Sequence, residues 1–114
     1  MDTTNNHQES YAELRRYGTN KVVYCFECQL FHVYYENLSF DLTPKSIYSL
    51  QRSLEAYEEV YRDTVKSDCR CIEVGTPFRG FRMYMSISDL VELRLLLQEA
   101  YEVYTSKSWR NSYN

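Results

Sequence analysis

The sequence lacks a basic excess, a long apolar segment and the common catalytic motifs. It contains 13 basic and 16 acidic residues, for a net charge of −3. Proteins that neutralise nucleic-acid phosphates usually carry a basic excess, so general nucleic-acid binding is disfavoured. No apolar run approaches the ~20 residues that cross a bilayer, so we predict no membrane segment.

No Ser-His-Asp set, phosphate-binding loop or His-Glu-x-x-His motif occurs, and we therefore predict a protein that is not an enzyme. The first ten residues are polar and lack the apolar core of a secretory signal, so we expect a cytoplasmic protein. In that compartment, the four cysteines are expected to be free thiols or metal ligands rather than disulfides.

The chain has 114 residues, of which 44% are apolar and 25% charged, as in an ordinary globular domain. We predict one domain over residues 11–105, with a mobile tail at 1–10 and a polar tail at 106–114. Twelve tyrosines, five phenylalanines and one tryptophan give an aromatic content that suits both strands and binding faces.

Short runs rich in β-branched and aromatic residues predict six strands, and two longer segments predict helices. The strands are expected at residues 11–17, 22–26, 30–35, 38–42, 69–74 and 81–85. Thr43 and Pro44 favour the start of the first helix, which should end near residue 63. Its apolar stripe comprises Ile47, Leu50, Leu54, Tyr57 and Tyr61. Ser86 or Ser88 should cap the second helix, whose stripe comprises Leu90, Leu93, Leu97, Ala100, Tyr101 and Tyr104.

The two halves of the chain resemble each other, since residues 40–61 align with 83–104 and five of the 22 positions are identical. Any two strand-to-helix units could align this well, but the layout is the same in either case. We predict an α+β fold in ββα-ββα order. An antiparallel sheet of four to six strands should carry two amphipathic helices on one face.

Cys25 and Cys28, followed by His32, form the pattern that most strongly suggests chemistry. A Cys-x-x-Cys pair on a hairpin turn is a common half-site for zinc, and His32 should lie on the same strand face as Cys28. Cys69 and Cys71 are the candidates for further ligands. The alternative is that all four are unligated thiols, since free cysteine is often buried.

The signature Cys25-x-x-Cys28-x-x-x-His32-Val33-x-Tyr35-x-Asn37-Leu38 resembles that of a family of short uncharacterised bacterial proteins, a domain of unknown function. The resemblance implies a helix, a hairpin and a second helix after the signature, and it implies no reaction. It singles out Cys25, Cys28, His32 and Asn37. Cys69 and Cys71 do not belong to its pattern.

The segment from Phe78 to Arg82 combines aromatic rings with guanidinium groups. Phe78, Arg79, Phe81 and Arg82 are therefore candidate partner-binding residues. The alternative is a hairpin tip with one buried phenylalanine and solvated arginines. Asp41 and the acids of the helices are spaced as on a solvated face.

Three functions remain open. The first is a protein-interaction domain, most simply a homodimer formed through the uncovered sheet face, with the tail around Trp109 as a competing cover. The second is a small zinc-binding domain that uses Cys25, Cys28 and His32, either structurally or as a sensor. The third is a single-stranded nucleic-acid binder, which the acidic charge disfavours.

Overall fold

The computed structural model describes residues 10–106, which form six strands and two helices. In chain order these are β1 (Tyr11–Tyr17), β2 (Asn20–Cys25), β3 (Leu30–Tyr35), β4 (Leu38–Leu42), α1 (Pro44–Tyr61), β5 (Ile72–Gly75), β6 (Arg82–Met85) and α2 (Ile87–Thr105). The α+β class and the order of elements are as predicted. Trp109 and both predicted tails, except residues 10 and 106, lie outside the described residues. No helix in this part of the chain combines the length and apolar character that crossing a membrane requires.

The first four strands form an antiparallel meander in the order β1-β2-β3-β4. A two-residue turn joins β3 to β4, because Tyr35 pairs directly with Leu38. Glu36 in this turn adopts a left-handed backbone with φ of 53°. The side chain of Asn20 accepts a hydrogen bond from the Glu36 N–H at 2.7 Å, which ties the turn to the start of β2. The two-residue turn itself fixes the register of the β3–β4 hairpin.

The remaining two strands, β5 and β6, form a separate two-stranded sheet rather than joining the meander. We predicted a single sheet of four to six strands, whereas the structure has one sheet of four strands and one of two. Within the fold, β5 contacts α1 and β6 contacts α2. Strand β5 begins at Ile72 instead of residue 69, because Cys69 donates its N–H to the carbonyl of Lys66 at 3.1 Å and closes a turn there.

Both helices begin at the predicted caps. The Thr43 hydroxyl accepts the N–H of Ser46 at 3.0 Å, with Pro44 in the first helical position. Ser86 and Asp89 form a reciprocal capping box at α2, in which each side chain accepts the other's backbone N–H at 3.0 Å. These bonds satisfy N–H groups that have no partner within the helix.

The helices cover one face of the meander and enclose the core. Helix α2 packs on β1 and β2, and α1 packs on α2 while contacting β3 and β4. The larger buried side chains of this core include Val22, Phe31, Val33, Leu42, Ile47, Leu54, Leu90, Leu93, Leu96 and Leu97. The tyrosines in the predicted apolar stripes of the two helices are only partly buried against the core.

No helix of the described chain covers the opposite face of the meander, called here the open face. Its residues alternate along the strands with the core positions and pair with one another across neighbouring strands. They are Glu13, Lys21, Val23, His32, Tyr34 and Asp41. Strand β3 illustrates the alternation, because Phe31, Val33 and Tyr35 are buried whereas Tyr34 is 40% exposed. Strand β3 therefore alternates between core positions and the open face. Among the described residues, the exposed tyrosines are Tyr34, Tyr48 and Tyr84, which lie on three different elements.

Candidate metal centre

The turn between β2 and β3 brings the first two cysteines together. Strand β2 ends at Cys25, and the Cys25 carbonyl accepts the N–H of Gln29 at 2.8 Å. Gln29 has a left-handed backbone with φ of 59°, a conformation that usually favours glycine. The turn thus closes without the Asn-Gly or Asp-Gly pair that a tight hairpin prefers. Phe26 donates its N–H to the carbonyl of Ser10 at 2.8 Å, which attaches the turn to the chain before β1.

Cys25, Cys28 and His32 form the cluster predicted for a metal. Their donor atoms all lie within 4.8 Å of one another, and Cys28 Sγ is 3.8 Å from His32 Nε2. Ligands at Zn–S and Zn–N bond lengths around a tetrahedral ion are about 3.5–3.8 Å apart. The donor atoms therefore need to move by no more than about 1 Å to share an ion.

Asp41 orients the imidazole of His32. Its Oδ1 lies 2.6 Å from His32 Nδ1, and the two residues pair directly across β3 and β4. An ionised carboxylate only accepts hydrogen bonds, so Nδ1 carries the proton and donates it. In the neutral ring, this leaves the lone pair of Nε2 on the side that faces Cys28. A histidine held by a carboxylate in this way is the usual arrangement of a metal ligand.

The two thiols of the cluster titrate differently. Burial opposes ionisation of Cys25, but hydrogen bonds from the thiol and backbone N–H of Cys28, and from His32, outweigh it and lower the pKa of Cys25. The Cys28 N–H lies 3.3 Å from Cys25 Sγ. The hydrogen bond to Cys25 is the largest cause that raises the pKa of Cys28, and local desolvation acts in the same direction. Cys25 is therefore the thiol that ionises first, and it is already the acceptor of a backbone N–H.

His32 responds to the same neighbours. Burial alone would lower the pKa of His32, but the hydrogen bond to Asp41 and the charges of Asp41 and Cys25 raise it overall. The imidazole is thus held among negative groups, which is also the electrostatic environment that attracts a cation.

The centre lies at one end of the open face, partly accessible to solvent. Cys25 is buried, Cys28 is exposed, and the side chain of His32 is 18% exposed. Tyr11, which pairs with Cys25 across β1 and β2, places its ring edge-on to His32 with centroids 5.6 Å apart. Four strands of the meander therefore meet around the cluster.

Cys69 and Cys71 do not join this cluster. They lie on the connection between α1 and β5, and their sulfur atoms are paired with each other as a disulfide. The expectation that all four cysteines are free or metal-bound is therefore wrong for this pair. Their Cα atoms are 5.4 Å apart, within the range that a disulfide spans. Cys69 and Cys71 thus do not supply further ligands in this structure.

The candidate partner-binding residues are divided by the structure. Phe78 is half-buried and packs edge-on against Phe40, with ring centroids 5.9 Å apart. Arg79 is exposed, as is Arg82, whose Nε lies 3.4 Å from Glu73. Phe78 and Phe81 are thus both half-buried against the core, rather than one being buried and the other free.

Phe81 and Arg82 line a cavity of about 280 Å³ between the β3–β4 turn and the second sheet. Asn37, which the resemblance singled out, lines the same cavity from the turn. Asn37 is therefore a turn residue that does not take part in the cysteine cluster. Nothing in the described structure identifies a partner for these residues.

Asp41 is the site residue that sequence reasoning missed. Its pairing with His32 replaces the interpretation of Asp41 as part of a solvated acidic face. A two-residue turn after Tyr35 sets the register in which position 32 faces position 41. Counting outward from that turn would have identified the pair.

Together, the fold and this cluster define a small α+β protein with a candidate Cys₂His metal centre. The chain belongs to a family of unknown function (DUF6686), whose model matches residues 8–109. This match confirms the predicted membership of a domain of unknown function. No curated protein and no solved structure matches the chain.

Proposed function

We propose that this protein is a zinc-binding domain, in which Cys25, Cys28 and His32 hold the ion. The observation that carries the proposal is the convergence of the three donor atoms within 4.8 Å. Thiolate and imidazole together favour zinc over magnesium or calcium, which prefer oxygen ligands.

The hydrogen bonds around the cluster support the same proposal. Asp41 fixes the tautomer that leaves Nε2 of His32 as a donor to the metal. The Cys28 N–H stabilises a thiolate at Cys25. A bare group of cysteines would not need either arrangement.

The role that fits these positions is structural rather than catalytic. The ion would join the end of β2 to β3 through a turn that lacks a tight-turn sequence, so binding would contribute directly to folding. No further cysteine, histidine or acidic side chain in the described chain belongs to the group of converging donor atoms. We therefore expect metal to change the stability of the hairpin, with no associated turnover.

The test is elemental analysis of protein purified without added metal, followed by cobalt substitution and its visible absorption. We expect one zinc per chain and loss of the metal in Cys25→Ser, Cys28→Ser and His32→Ala. The double variant Cys69→Ser/Cys71→Ser is the matched control, because it removes two cysteines outside the cluster. Metal-free protein whose stability is the same in chelator, with no cobalt–thiolate absorption, would refute the proposal.

A second candidate is association of two copies through the open face. Half-buried Val23 and the 40% exposed ring of Tyr34 lie there, beside the opposite charges of Glu13 and Lys21. Lys21 Nζ lies over the Tyr34 ring at 5.1 Å from its centroid. Apolar and oppositely charged groups on one face suit a self-complementary two-fold interface.

Sedimentation at micromolar concentration tests this candidate, with Val23→Lys as the disrupting variant. Dimeric wild type and monomeric Val23→Lys would support it. A 13.7 kDa monomer at every concentration would exclude it. Running both proteins with zinc and with chelator separates association from metal binding.

A further inference from the structure

The disulfide between Cys69 and Cys71 encloses a single residue, Arg70. In the chain-entropy account, a disulfide stabilises a fold by closing a loop of the unfolded chain, and the effect grows with the length of that loop. A ring around one residue therefore constrains the unfolded chain little. The bond also lies near the surface, because Cys71 is exposed and Cys69 is half-buried. Exposed disulfides are typically the labile or regulatory ones.

The enclosed residue connects the disulfide to the start of α2. Arg70 Nε donates to Asp89 Oδ2 at 3.0 Å, and the same oxygen accepts the N–H of Ser86, the residue that caps the helix. The chain just before the disulfide contacts α2 as well, since Ser88 donates its N–H to the carbonyl of Ser67 at 3.3 Å. The disulfide thus restrains the backbone of Arg70, while its side chain contacts the capping box of α2.

We propose that Cys69 and Cys71 are a redox site, which exchanges with small thiols and whose oxidised state stabilises the contact between Arg70 and Asp89. The closed ring restricts the backbone of Arg70, so less conformational entropy is lost when the side chain contacts Asp89. Reduction restores that freedom and weakens the contact. The inference is independent of the proposed zinc centre, whose two cysteines are not part of this disulfide.

The exchange transfers two electrons. A thiolate of the small thiol attacks the exposed sulfur of Cys71, which breaks the bond to Cys69 and forms a mixed disulfide on Cys71. The released Cys69 sulfur takes up a proton. A second small thiolate then attacks the mixed disulfide, leaves as a small-molecule disulfide, and releases Cys71 to be protonated in turn. Two small thiols are oxidised to one disulfide, and the protein disulfide is reduced to two thiols.

The redox equilibrium and the contact are linked, so each must affect the other by the same factor. If the closed ring strengthens the contact between Arg70 and Asp89, the contact favours the closed ring equally. The side chain of Arg70 is 69% exposed. Because exposed ion pairs contribute little, we expect a linkage of about two- to fivefold in the redox equilibrium constant.

The experiment equilibrates the full-length protein in buffers of reduced and oxidised glutathione. Differential alkylation and mass spectrometry count the thiols of Cys69 and Cys71 separately from those of Cys25 and Cys28. We expect the disulfide between Cys69 and Cys71 to open and re-form reversibly, while the far-ultraviolet circular dichroism of the protein stays unchanged. The midpoint is expressed as the squared concentration of reduced glutathione divided by the concentration of its disulfide.

Asp89→Asn tests the linkage to α2. Its midpoint should lie about two- to fivefold below that of the wild type, because loss of the contact makes the disulfide easier to reduce. Glu73→Gln is the matched control, since it removes an exposed carboxylate two residues from Cys71 that contacts Tyr84 and Arg82 instead of Arg70. Its midpoint should equal that of the wild type.

Four outcomes would overturn the inference. A disulfide that opens only when the protein unfolds would be structural, and thiols that never pair in oxidised glutathione would exclude a redox site. Equal midpoints in wild type and Asp89→Asn would show that the contact is not linked to the disulfide. A shift of the same size in Glu73→Gln would assign the effect to local charge. Zinc binding is measured separately and stands or falls on its own test.

Discussion

The two cysteine pairs of this protein differ in what the fold brings to them. Cys25 and Cys28 lie on a turn between paired strands, and the partner strand adds His32 to their sulfur atoms. Cys69 and Cys71 are even closer in sequence, but they lie on a connection and pair only with each other. The comparison teaches that the candidate metal centre differs from the other cysteine pair in having a third donor, His32, which the pairing of β2 with β3 places beside the two sulfur atoms.

A core substitution should lower the unfolding free energy of the whole domain. It should not change the difference in metal binding between the two cysteine pairs. Leu54 is fully buried on α1, and Leu54→Ala should cost about 2–5 kcal/mol of unfolding free energy. Chemical denaturation measures this loss, and the folded fraction should still bind one metal per chain. A loss well under about 1 kcal/mol would contradict the packing of α1 on the core.

Removing one ligand should distinguish the cysteine pairs directly. Cys25→Ser should lower zinc affinity by more than about 100-fold, since even outer-shell changes can cost that much. Cys69→Ser/Cys71→Ser should change it by less than about threefold. Competition with a chromophoric chelator measures both constants. Equal losses in the two variants would mean that the metal is held by all four cysteines.

A change at Asp41, the carboxylate that contacts His32, should have a smaller effect on zinc affinity than the loss of a ligand. Asp41→Asn keeps the shape of the side chain but weakens its hold on His32 Nδ1, and zinc affinity should fall about 10–100-fold. Glu73→Gln is the matched control, because it removes an exposed carboxylate that bonds Tyr84 and Arg82 on the second sheet. Unchanged affinity in Asp41→Asn would show that His32 needs no orienting partner.

The region of the second cysteine pair should respond to pH through Asp89. Burial would raise the pKa of Asp89, but hydrogen bonds from Ser86 and Arg70 outweigh it and lower the pKa. The stabilisation is therefore present above the unfolded value, near 3.9, and is lost as pH falls through the folded pKa. Denaturation of wild type and Asp89→Asn between pH 2 and 7 measures it.

For Asp89, we expect a difference of about 1 kcal/mol at neutral pH, typical of a helix cap, that disappears in acid. Equal stability of the two proteins at pH 7 would show that the charge of Asp89, and with it the ion pair to Arg70, contributes nothing. Adding zinc should leave this difference unchanged, because Asp89 belongs to the other region of the molecule.

The local elements could be predicted because each depends on residues close together in the sequence. The spacing of Ile47, Leu50 and Leu54 predicts a helix buried on that side, and the structure buries all three. Thr43 and Ser86 identify the helix starts, because a cap acts within three or four residues. Cys25, Cys28 and His32 were found in the same way, since they occupy one turn and its following strand.

Contacts between distant segments could not be predicted. The division of six strands into two sheets depends on how β5 and β6 contact the helices, which no local pattern encodes. Cys69 and Cys71 were misassigned because their alternation suggested a strand, whereas a turn at Lys66 delays β5 until Ile72. The role of Asp41 required the register of β3 against β4.

The sequence alone therefore determined the fold class, the helix faces and the identity of three candidate metal ligands. These follow from residue chemistry and short-range periodicity, which act over a few residues. Only the tertiary structure decided that the donors converge, that Asp41 supports one of them, and that the second cysteine pair lies elsewhere. Those facts depend on strand pairing and helix packing, whose partners are far apart in the chain and are selected by burial of the whole core.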